Sequence, residues 1–285
     1  MIKKAWLVLA AIVATSTCAA GLVACADENA HTHEYISYVY NNDATCGNDG
    51  TETAKCEKCD KTDTRKSEAH PATGEHSFVD YICETCFALS ADAPETQGLA
   101  YSPIREDHET VGYSVSGKGS ASFDKYIKMP SEYDGRPVTG ISNSAFENCE
   151  SLVSISIPSS ITSIEYDAFK GCDKLIRTDG GVRYADKWVV GCDYSVKTVE
   201  LRFDTFGIAQ RAFWPCDITS ITIPNGVKII NASAFNNCGK LKNIIFNGTT
   251  EEWKSIIKGE SWDIRTADYT VICTDGELSK EESGE

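Results

Sequence analysis

The second half of the chain repeats one pattern of apolar and polar positions. The segment "SISIPSSITSIEYDAFKGCDKL" begins at Ser154, and the similar segment "SITIPNGVKIINASAFNNCGKL" begins at Ser220. Before each proline, isoleucine alternates with Ser or Thr, which is typical of a short strand with one buried face. Since proline has no N–H to donate to a sheet, Pro158 and Pro224 predict where these strands end.

Ala-Phe pairs set the period of this repeat. The phenylalanines of the pairs are 23, 44 and 22 residues apart, and a cysteine follows each of them three residues later. These positions are Phe146 and Cys149, Phe169 and Cys172, Phe213 and Cys216, and Phe235 and Cys238. A coil of this size cannot bury its apolar face alone, so coils must stack. We therefore predict a solenoid over 111–250 with the phenylalanines in a shared core and the cysteines as small buried residues.

The order L-x-x-I-x-I, proline and Ala-Phe-x-x-Cys resembles the BspA-like leucine-rich repeats, whose consensus runs like "LTSITIPDSVTSIGDSAFSGC". The resemblance implies an α/β repeat, a leucine-rich-repeat solenoid of short strands and helical turns. Two insertions interrupt it, "EYDGRP" after Pro130 and "VRYADKWVVGC", which we expect to form a hairpin. Residues 251–275 resemble the usual C-terminal cap, with Trp253, Ile256 and Ile257 covering the open end, and 276–285 form an acidic tail.

A cysteine- and histidine-rich module is predicted over 31–90, followed by a polar linker over 91–110. Two C-x-x-C pairs, Cys56 with Cys59 and Cys83 with Cys86, resemble a zinc ribbon whose gap is slightly long. A tight turn lets both thiolates of a pair approach one ion, and tetrahedral zinc needs four such ligands. The module has few large apolar residues, so the zinc is predicted to be structural.

A second assignment of ligands competes with the single ribbon. "HEYI" at His33 resembles "HSFV" at His76, which indicates a small repeat that opens with histidine. The first set would be His33, Cys46, Cys56 and Cys59, and the shortened second set would be His76, Cys83 and Cys86. The single ribbon would bind one zinc ion, and the two sets would bind up to two. A pair of disulfides is the remaining alternative, since exported cysteines often oxidise.

The N-terminus predicts export. Lys3 and Lys4 precede an apolar run, as in a signal peptide, which we assign to 1–24. The residues "LVAC" that end at Cys25 resemble a bacterial lipobox, which implies a lipidated Cys25, a tether over 25–30 and a place on the extracellular face of the bacterial membrane. An uncleaved signal anchor is the alternative, because the run approaches the ~20 residues of a membrane span.

The net charge and the motifs of the sequence limit the classes of function that the chain is predicted to have. The net charge of -15 opposes binding to nucleic acid. No motif of the G-x-S-x-G, H-E-x-x-H or P-loop type occurs in a plausible setting, and 111–250 contain no histidine, so the chain is predicted not to be an enzyme. The resembled family is associated with adhesion, which implies an extracellular protein or glycan partner. The alternative is an extracellular protein that sequesters metal with its Cys/His module.

Overall fold

The computed structural model describes residues 34–41, 46, 49–58, 62–121 and 125–283. The chain divides into two compact units, Met1–Glu75 and His76–Glu285. The predicted signal peptide (1–24), the lipidation site Cys25 and the tether (25–30) lie outside the described residues. None of the described helices is long and apolar enough to cross a membrane.

The first unit contains an antiparallel sheet of three strands, β1 (Val39–Tyr40), β2 (Thr51–Lys55) and β3 (Thr62–Lys66). Polar contacts join its strands: Arg65 Nε lies 2.6 Å from Glu52 Oε1, and the Arg65 guanidinium lies 3.6 Å from the centre of the Tyr38 ring. The buried apolar residues among those described in this unit are Cys46, Ala54 and Cys56. Such a small core agrees with a module that needs an additional constraint in order to fold.

The second unit begins with short hairpins and continues into the repeats. Its first strands are β4 (Phe78–Val79), β5 (Ile82–Cys83), β6 (Ala100–Glu106), β7 (Glu109–Gly117), β8 (Tyr126–Lys128), β9 (Glu132–Tyr133) and β10 (Arg136–Ile141). Strands β6 and β7 pair antiparallel, so the residues predicted as a linker (91–110) include β6 and the start of β7. Strands β9 and β10 form a hairpin at the "EYDGRP" insertion.

The later strands lie on the two sides of the coils. They are β11 (Ser154–Ser156), β12 (Ser163–Ile164), β13 (Arg177–Asp179), β14 (Val182–Ala185), β15 (Trp188–Cys192), β16 (Thr198–Glu200), β17 (Gly207–Ile208), β18 (Ser220–Ile223), β19 (Ile229–Ile230), β20 (Asn243–Phe246), β21 (Ile257–Lys258), β22 (Thr270–Ile272) and β23 (Glu277–Ser279). One sheet has the order β13-β14-β15-β17-β19-β21, and another has the order β16-β18-β20-β22-β23. Parallel pairing of β16, β18, β20 and β22 stacks successive coils, as the prediction of a solenoid required.

The phenylalanines of the Ala-Phe pairs line the solenoid core. Phe146, Phe213 and Phe235 are 0% exposed, and Phe169 is 5% exposed. The rings stack in adjacent coils, with centroids 5.6 Å apart for Phe146 and Phe169 and 4.9 Å apart for Phe213 and Phe235. Each large side chain buried in this way contributes about 1.5–3 kcal/mol.

The α part of the predicted α/β repeat is small. Around each Ala-Phe pair the chain makes a single turn with i to i+3 bonds, such as the Cys172 N–H to the Phe169 carbonyl at 3.1 Å. Within the described residues, α-helices occur only at α1 (Thr250–Ser255) and α2 (Lys280–Ser283). A coil of about 23 residues that must cross between two strands leaves room for one turn rather than a helix.

The segment "VRYADKWVVGC" forms the predicted hairpin of β14 and β15. Strand β15 then pairs parallel with β17, so the hairpin supplies the preceding rung of that sheet. Trp188 is 1% exposed, and a Cβ on Gly207 would lie 2.5 Å from its ring. At the hairpin turn, Asp186 Oδ2 accepts the Ile157 N–H at 2.8 Å. The insertion is therefore packed into the core.

Two of the three residues predicted to cover the open end of the solenoid are buried. Trp253 and Ile256 are buried, but Ile257 is 62% exposed, so its assignment to the cap was wrong. Ile257 begins β21 and pairs with Ile229, and the alternation of a strand turns it away from the core that Ile256 enters. Helix α1 starts with a capping box in which the Thr249 N–H donates to Glu252 Oε2 at 2.8 Å.

Candidate metal centre and binding surface

The hairpin of β4 and β5 brings together a histidine and two cysteines. Its two-residue turn, Asp80 and Tyr81, has φ values of 50° and 67°, which suit the tight turn of a hairpin. His76 precedes β4, Cys83 ends β5, and Cys86 lies on the turn that follows. The side chains of these three residues each offer one ligand atom, and these atoms lie within 4.8 Å of one another.

Backbone hydrogen bonds hold the C-x-x-C turn in place. The Phe87 N–H donates to the Cys83 carbonyl at 3.0 Å, and the Glu84 N–H donates to the Ser77 carbonyl at 3.0 Å. Cys86 Sγ lies 3.5 Å from His76 Nδ1, while Cys83 is fully buried. This Cys/His cluster could hold a metal ion, because it gathers soft thiol and imidazole donors of the kind that zinc prefers.

Of the other predicted ligands, the structure describes Cys46 and Cys56. Cys46 and Cys56 are buried in the first unit, and both stay predicted ligands. His33 and Cys59 lie outside the described residues, so the set of His33, Cys46, Cys56 and Cys59 stays a prediction. The zinc ribbon of Cys56, Cys59, Cys83 and Cys86 likewise stays a prediction. The described second unit supports the shortened set that opens with His76.

The repeat cysteines have a structural role. The Cys172 thiol donates to the Phe146 carbonyl at 3.0 Å, and the Cys238 thiol donates to the Phe213 carbonyl at 3.2 Å. Each thiol therefore bonds to the preceding coil. Burial raises the pKa of Cys172 to about 11 and that of Cys238 to about 12, so both thiols stay protonated at neutral pH.

The inserted hairpin contributes a cysteine to the same arrangement. Cys216 Sγ lies 3.7 Å from the Cys192 carbonyl oxygen, where the other coils present the carbonyl of a phenylalanine. Cys192 ends β15 and does not belong to an Ala-Phe-x-x-Cys motif, so its sequence position did not reveal this role. The buried position predicted for Cys172, Cys216 and Cys238 is confirmed, whereas Cys149 is only partly buried.

Comparison with known proteins identifies the repeats. The profile described as "BspA type Leucine rich repeat region" matches residues 119–183 and 191–264 in 6 copies. The repeat region of this chain consists of BspA-type leucine-rich repeats. Leucine-rich repeats of this type support a binding or adhesion role and are typically non-catalytic. The search among curated proteins gave no match.

Solved bacterial leucine-rich repeat proteins are similar to this chain. The Treponema pallidum protein TpLRR is 19% identical over 60% of this chain and 91% of that protein, with a TM-score of 0.29. A Bacteroides ovatus leucine-rich repeat protein is 21% identical over 62% of this chain, with a TM-score of 0.27. A leucine rich cell surface protein of Faecalibacterium prausnitzii is 26% identical over 59% of this chain, with a TM-score of 0.30. The chain spans 52% and 43% of the latter two proteins.

The BspA-type solenoid presents an outer β-face, which consists of the outward side chains of β16, β18, β20, β22 and β23. The strand register aligns them in two rows. One row is Thr198, Ser220, Asn243, Thr270 and Ser279, and the other is Glu200, Thr222, Ile245, Ile272 and Glu277. The predicted ladder of Ser and Thr is thus present. The structure adds an apolar centre, since Ile245 is 37% exposed, and a Glu at each end of the second row.

Proposed function

We propose that this chain is a non-catalytic cell-surface lipoprotein that binds an extracellular protein or glycan through its outer β-face. The observation that carries the proposal is the pair of aligned rows on that face, because solenoids bind partners on extended surfaces of this kind. The predicted signal peptide and the predicted lipidation of Cys25 support a place on the extracellular side of the membrane. Three acyl chains at Cys25 would exceed the two signals that stable anchoring requires.

A charge placed in the centre of the outer β-face tests this proposal. Thr222 lies between Glu200 and Ile245 in the second row, so Thr222→Arg should interrupt the contact surface while the buried side of β18 is unchanged. The matched control is Ser195→Arg, at an exposed turn residue outside the sheet. We expect Thr222→Arg to reduce retention of the mature chain on extracellular matrix or bacterial cells at least tenfold, with the control unchanged.

Two results would contradict the adhesive function. One is wild-type retention no greater than that of the heat-denatured chain, and the other is equal retention by Thr222→Arg and wild type.

The membrane anchor has its own test, because the intact mass of the cell-derived protein reports cleavage before Cys25 and the added diacylglycerol. An intact mass that retains 1–24 would support the uncleaved signal anchor instead.

We propose further that the Cys/His cluster binds one structural zinc ion. His76, Cys83 and Cys86 supply three donors, and a closed structural site requires four. The predicted ligands His33, Cys46, Cys56 and Cys59 are the candidates for the fourth donor. Four protein ligands would leave no position for a water molecule, so this zinc would stabilise the fold and would not act in catalysis.

Paired cysteine variants test the ligand assignment. Cys46 and Cys56 are both buried cysteines of the first unit, so Cys46→Ser and Cys56→Ser form a matched pair. We expect Cys86→Ser to lose stoichiometric zinc in native mass spectrometry, and zinc loss in Cys46→Ser or in Cys56→Ser identifies the further ligand. Loss in Cys56→Ser with retention in Cys46→Ser would favour the zinc ribbon. Weak zinc binding that exchanges rapidly would favour extracellular metal sequestration, and cysteine oxidation in place of zinc would favour disulfides.

A further inference from the structure

Tyrosines from separate hairpins form an exposed aromatic surface at the start of the repeats. The rings of Tyr101 on β6 and Tyr133 on β9 stack with centroids 3.9 Å apart, and Tyr113 on β7 meets Tyr133 at 90° with centroids 5.0 Å apart. Tyr101 and Tyr113 are partly buried against the core, whereas Tyr133 is 44% exposed. Val111, two residues before Tyr113 on β7, is 36% exposed. We call these four residues the tyrosine surface.

Carboxylates accompany the tyrosine surface. Asp134 Oδ2 lies 3.5 Å from the Tyr113 hydroxyl, and Glu132 is exposed on β9 beside Tyr133. Burial, the neighbouring Tyr133 and the charge of Glu95 together raise the pKa of Tyr101. Among the described residues, no salt bridge involves Glu95, Glu132 or Asp134. Their negative charge is therefore available to a partner.

The same protein pairs arginine with tyrosine elsewhere. The Arg202 guanidinium lies 4.3 Å from the centre of the Tyr184 ring, and the Arg65 guanidinium lies 3.6 Å from that of Tyr38. A cation over a ring is attracted by the negative face of the π system, and a carboxylate nearby strengthens the attraction. The tyrosine surface has the aromatic rings and the carboxylates of such a pairing, and its Tyr133 is exposed.

We infer that the tyrosine surface binds arginine or lysine side chains of a basic extracellular polypeptide. This inference rests on the proposed function and names the partner of a second contact region, apart from the outer β-face. The net charge of -15 favours encounter with a basic partner. Tyrosine is also enriched among the residues that dominate protein interfaces, because a fixed ring loses little conformational entropy. A neutral glycan would gain less from these carboxylates than a cationic side chain would.

The test measures binding of a nine-residue peptide of alternating arginine and glycine to the full mature chain by fluorescence anisotropy. We expect Tyr133→Ala to weaken binding roughly tenfold, or about 1.4 kcal/mol. Tyr133→Phe should bind as wild type, because it keeps the ring face. Asp134→Asn should weaken binding less, and raised salt should weaken wild-type binding. Tyr194→Ala is the matched control, since Tyr194 is 66% exposed outside this cluster and its loss should have no effect.

Other outcomes would overturn the inference. They are equal affinity of Tyr133→Ala and wild type, equal binding of the same peptide with glutamate in place of arginine, and tighter binding of a neutral hexasaccharide that Tyr133→Ala abolishes. Thermal unfolding of Tyr133→Ala shows whether this variant is folded. If it is not, the peptide affinity of Asp134→Asn, which keeps all rings, decides whether the inference holds. If Thr222→Arg abolishes cell retention while Tyr133→Ala binds the peptide normally, the proposed function stands and this inference fails.

Discussion

The repeat region and the cysteine-rich N-terminal region obtain their stability in different ways. In the repeats, aromatic and aliphatic side chains from successive coils are completely buried, and Phe213 and Phe235 stack at 4.9 Å. In the first unit, the buried apolar residues described are two cysteines and one alanine, and its strands are joined by charged pairs such as Arg65 and Glu52. Apolar burial can hold the repeats together, whereas the small core of the first unit predicts an additional metal or covalent link.

Cysteine shows the same contrast at the level of single residues. Cys172 and Cys238 donate to backbone carbonyls inside the solenoid, where burial raises the pKa of each thiol. Cys83 ends the β4–β5 hairpin and Cys86 lies on the turn that follows, and their sulfur atoms lie within 4.8 Å of each other and of a ring nitrogen of His76. The surroundings, and not the residue type, therefore decide whether a cysteine fills a core or is available as a ligand.

Removal of zinc should have the largest effect on structure, and this effect should be confined to one region. With a strong chelator we expect loss of ordered structure around His76–Cys86, because zinc binding supplies folding free energy. The repeats should keep their unfolding transition, because their apolar core does not use the metal. Hydrogen exchange measured by segment checks both points, and equal protection of the hairpin with and without metal would contradict the structural role.

Truncation of a core phenylalanine should have the second-largest effect, a loss of stability. We expect Phe235→Ala to lower the free energy of unfolding by about 3–5 kcal/mol, since it removes a stacked ring and leaves a cavity. Phe203→Ala is the matched control, because Phe203 is 68% exposed, and it should change stability little. Urea unfolding measures both. Similar losses for the two variants would show that the phenylalanine column does not support the solenoid.

A methyl group at Gly207 should have a smaller effect. Its Cβ would lie 2.5 Å from the Trp188 ring, so Gly207→Ala must displace the inserted hairpin or β17. We expect a loss of about 1–3 kcal/mol, as is usual for an overpacked core. At Gly239 a Cβ would meet nothing within 4 Å, so Gly239→Ala should leave the melting temperature nearly unchanged. An equal cost at both sites would mean that the hairpin is not packed into the core.

Thiol reactivity should give the smallest difference, without a change in fold. The pKa of Cys172 is raised to about 11, so its thiolate is scarce at pH 8 and increases as pH rises toward that value. We expect alkylation of Cys172 in the native protein to be far slower than in urea and to accelerate with pH. Peptide mass mapping after iodoacetamide treatment checks this. Alkylation of native Cys172 at the rate of an unfolded thiol would show that the site is open to solvent.

The repeat itself could be predicted because each coil contains the same local sequence signals. Alternating isoleucines, the proline at the strand end and the Ala-Phe pair are local signals, and Phe169 and Phe235 lie in the core as expected. The hairpin "VRYADKWVVGC" was also predicted, since it alternates apolar residues around a turn. Ile257 was assigned incorrectly, because two adjacent isoleucines cannot both face one side of a strand, and the sequence alone does not show which of them turns outward.

By itself, the sequence determined the class of the fold and the residues that line its core, because the regular spacing of apolar residues indicates which positions are buried. Tertiary structure alone decided which distant side chains meet. It placed Cys192 of the insertion beside Cys216, aligned Ile245 with Ile272 on the outer β-face, and stacked Tyr133 on Tyr101. Such contacts depend on how the coils and hairpins are registered against each other, and no local pattern encodes that register.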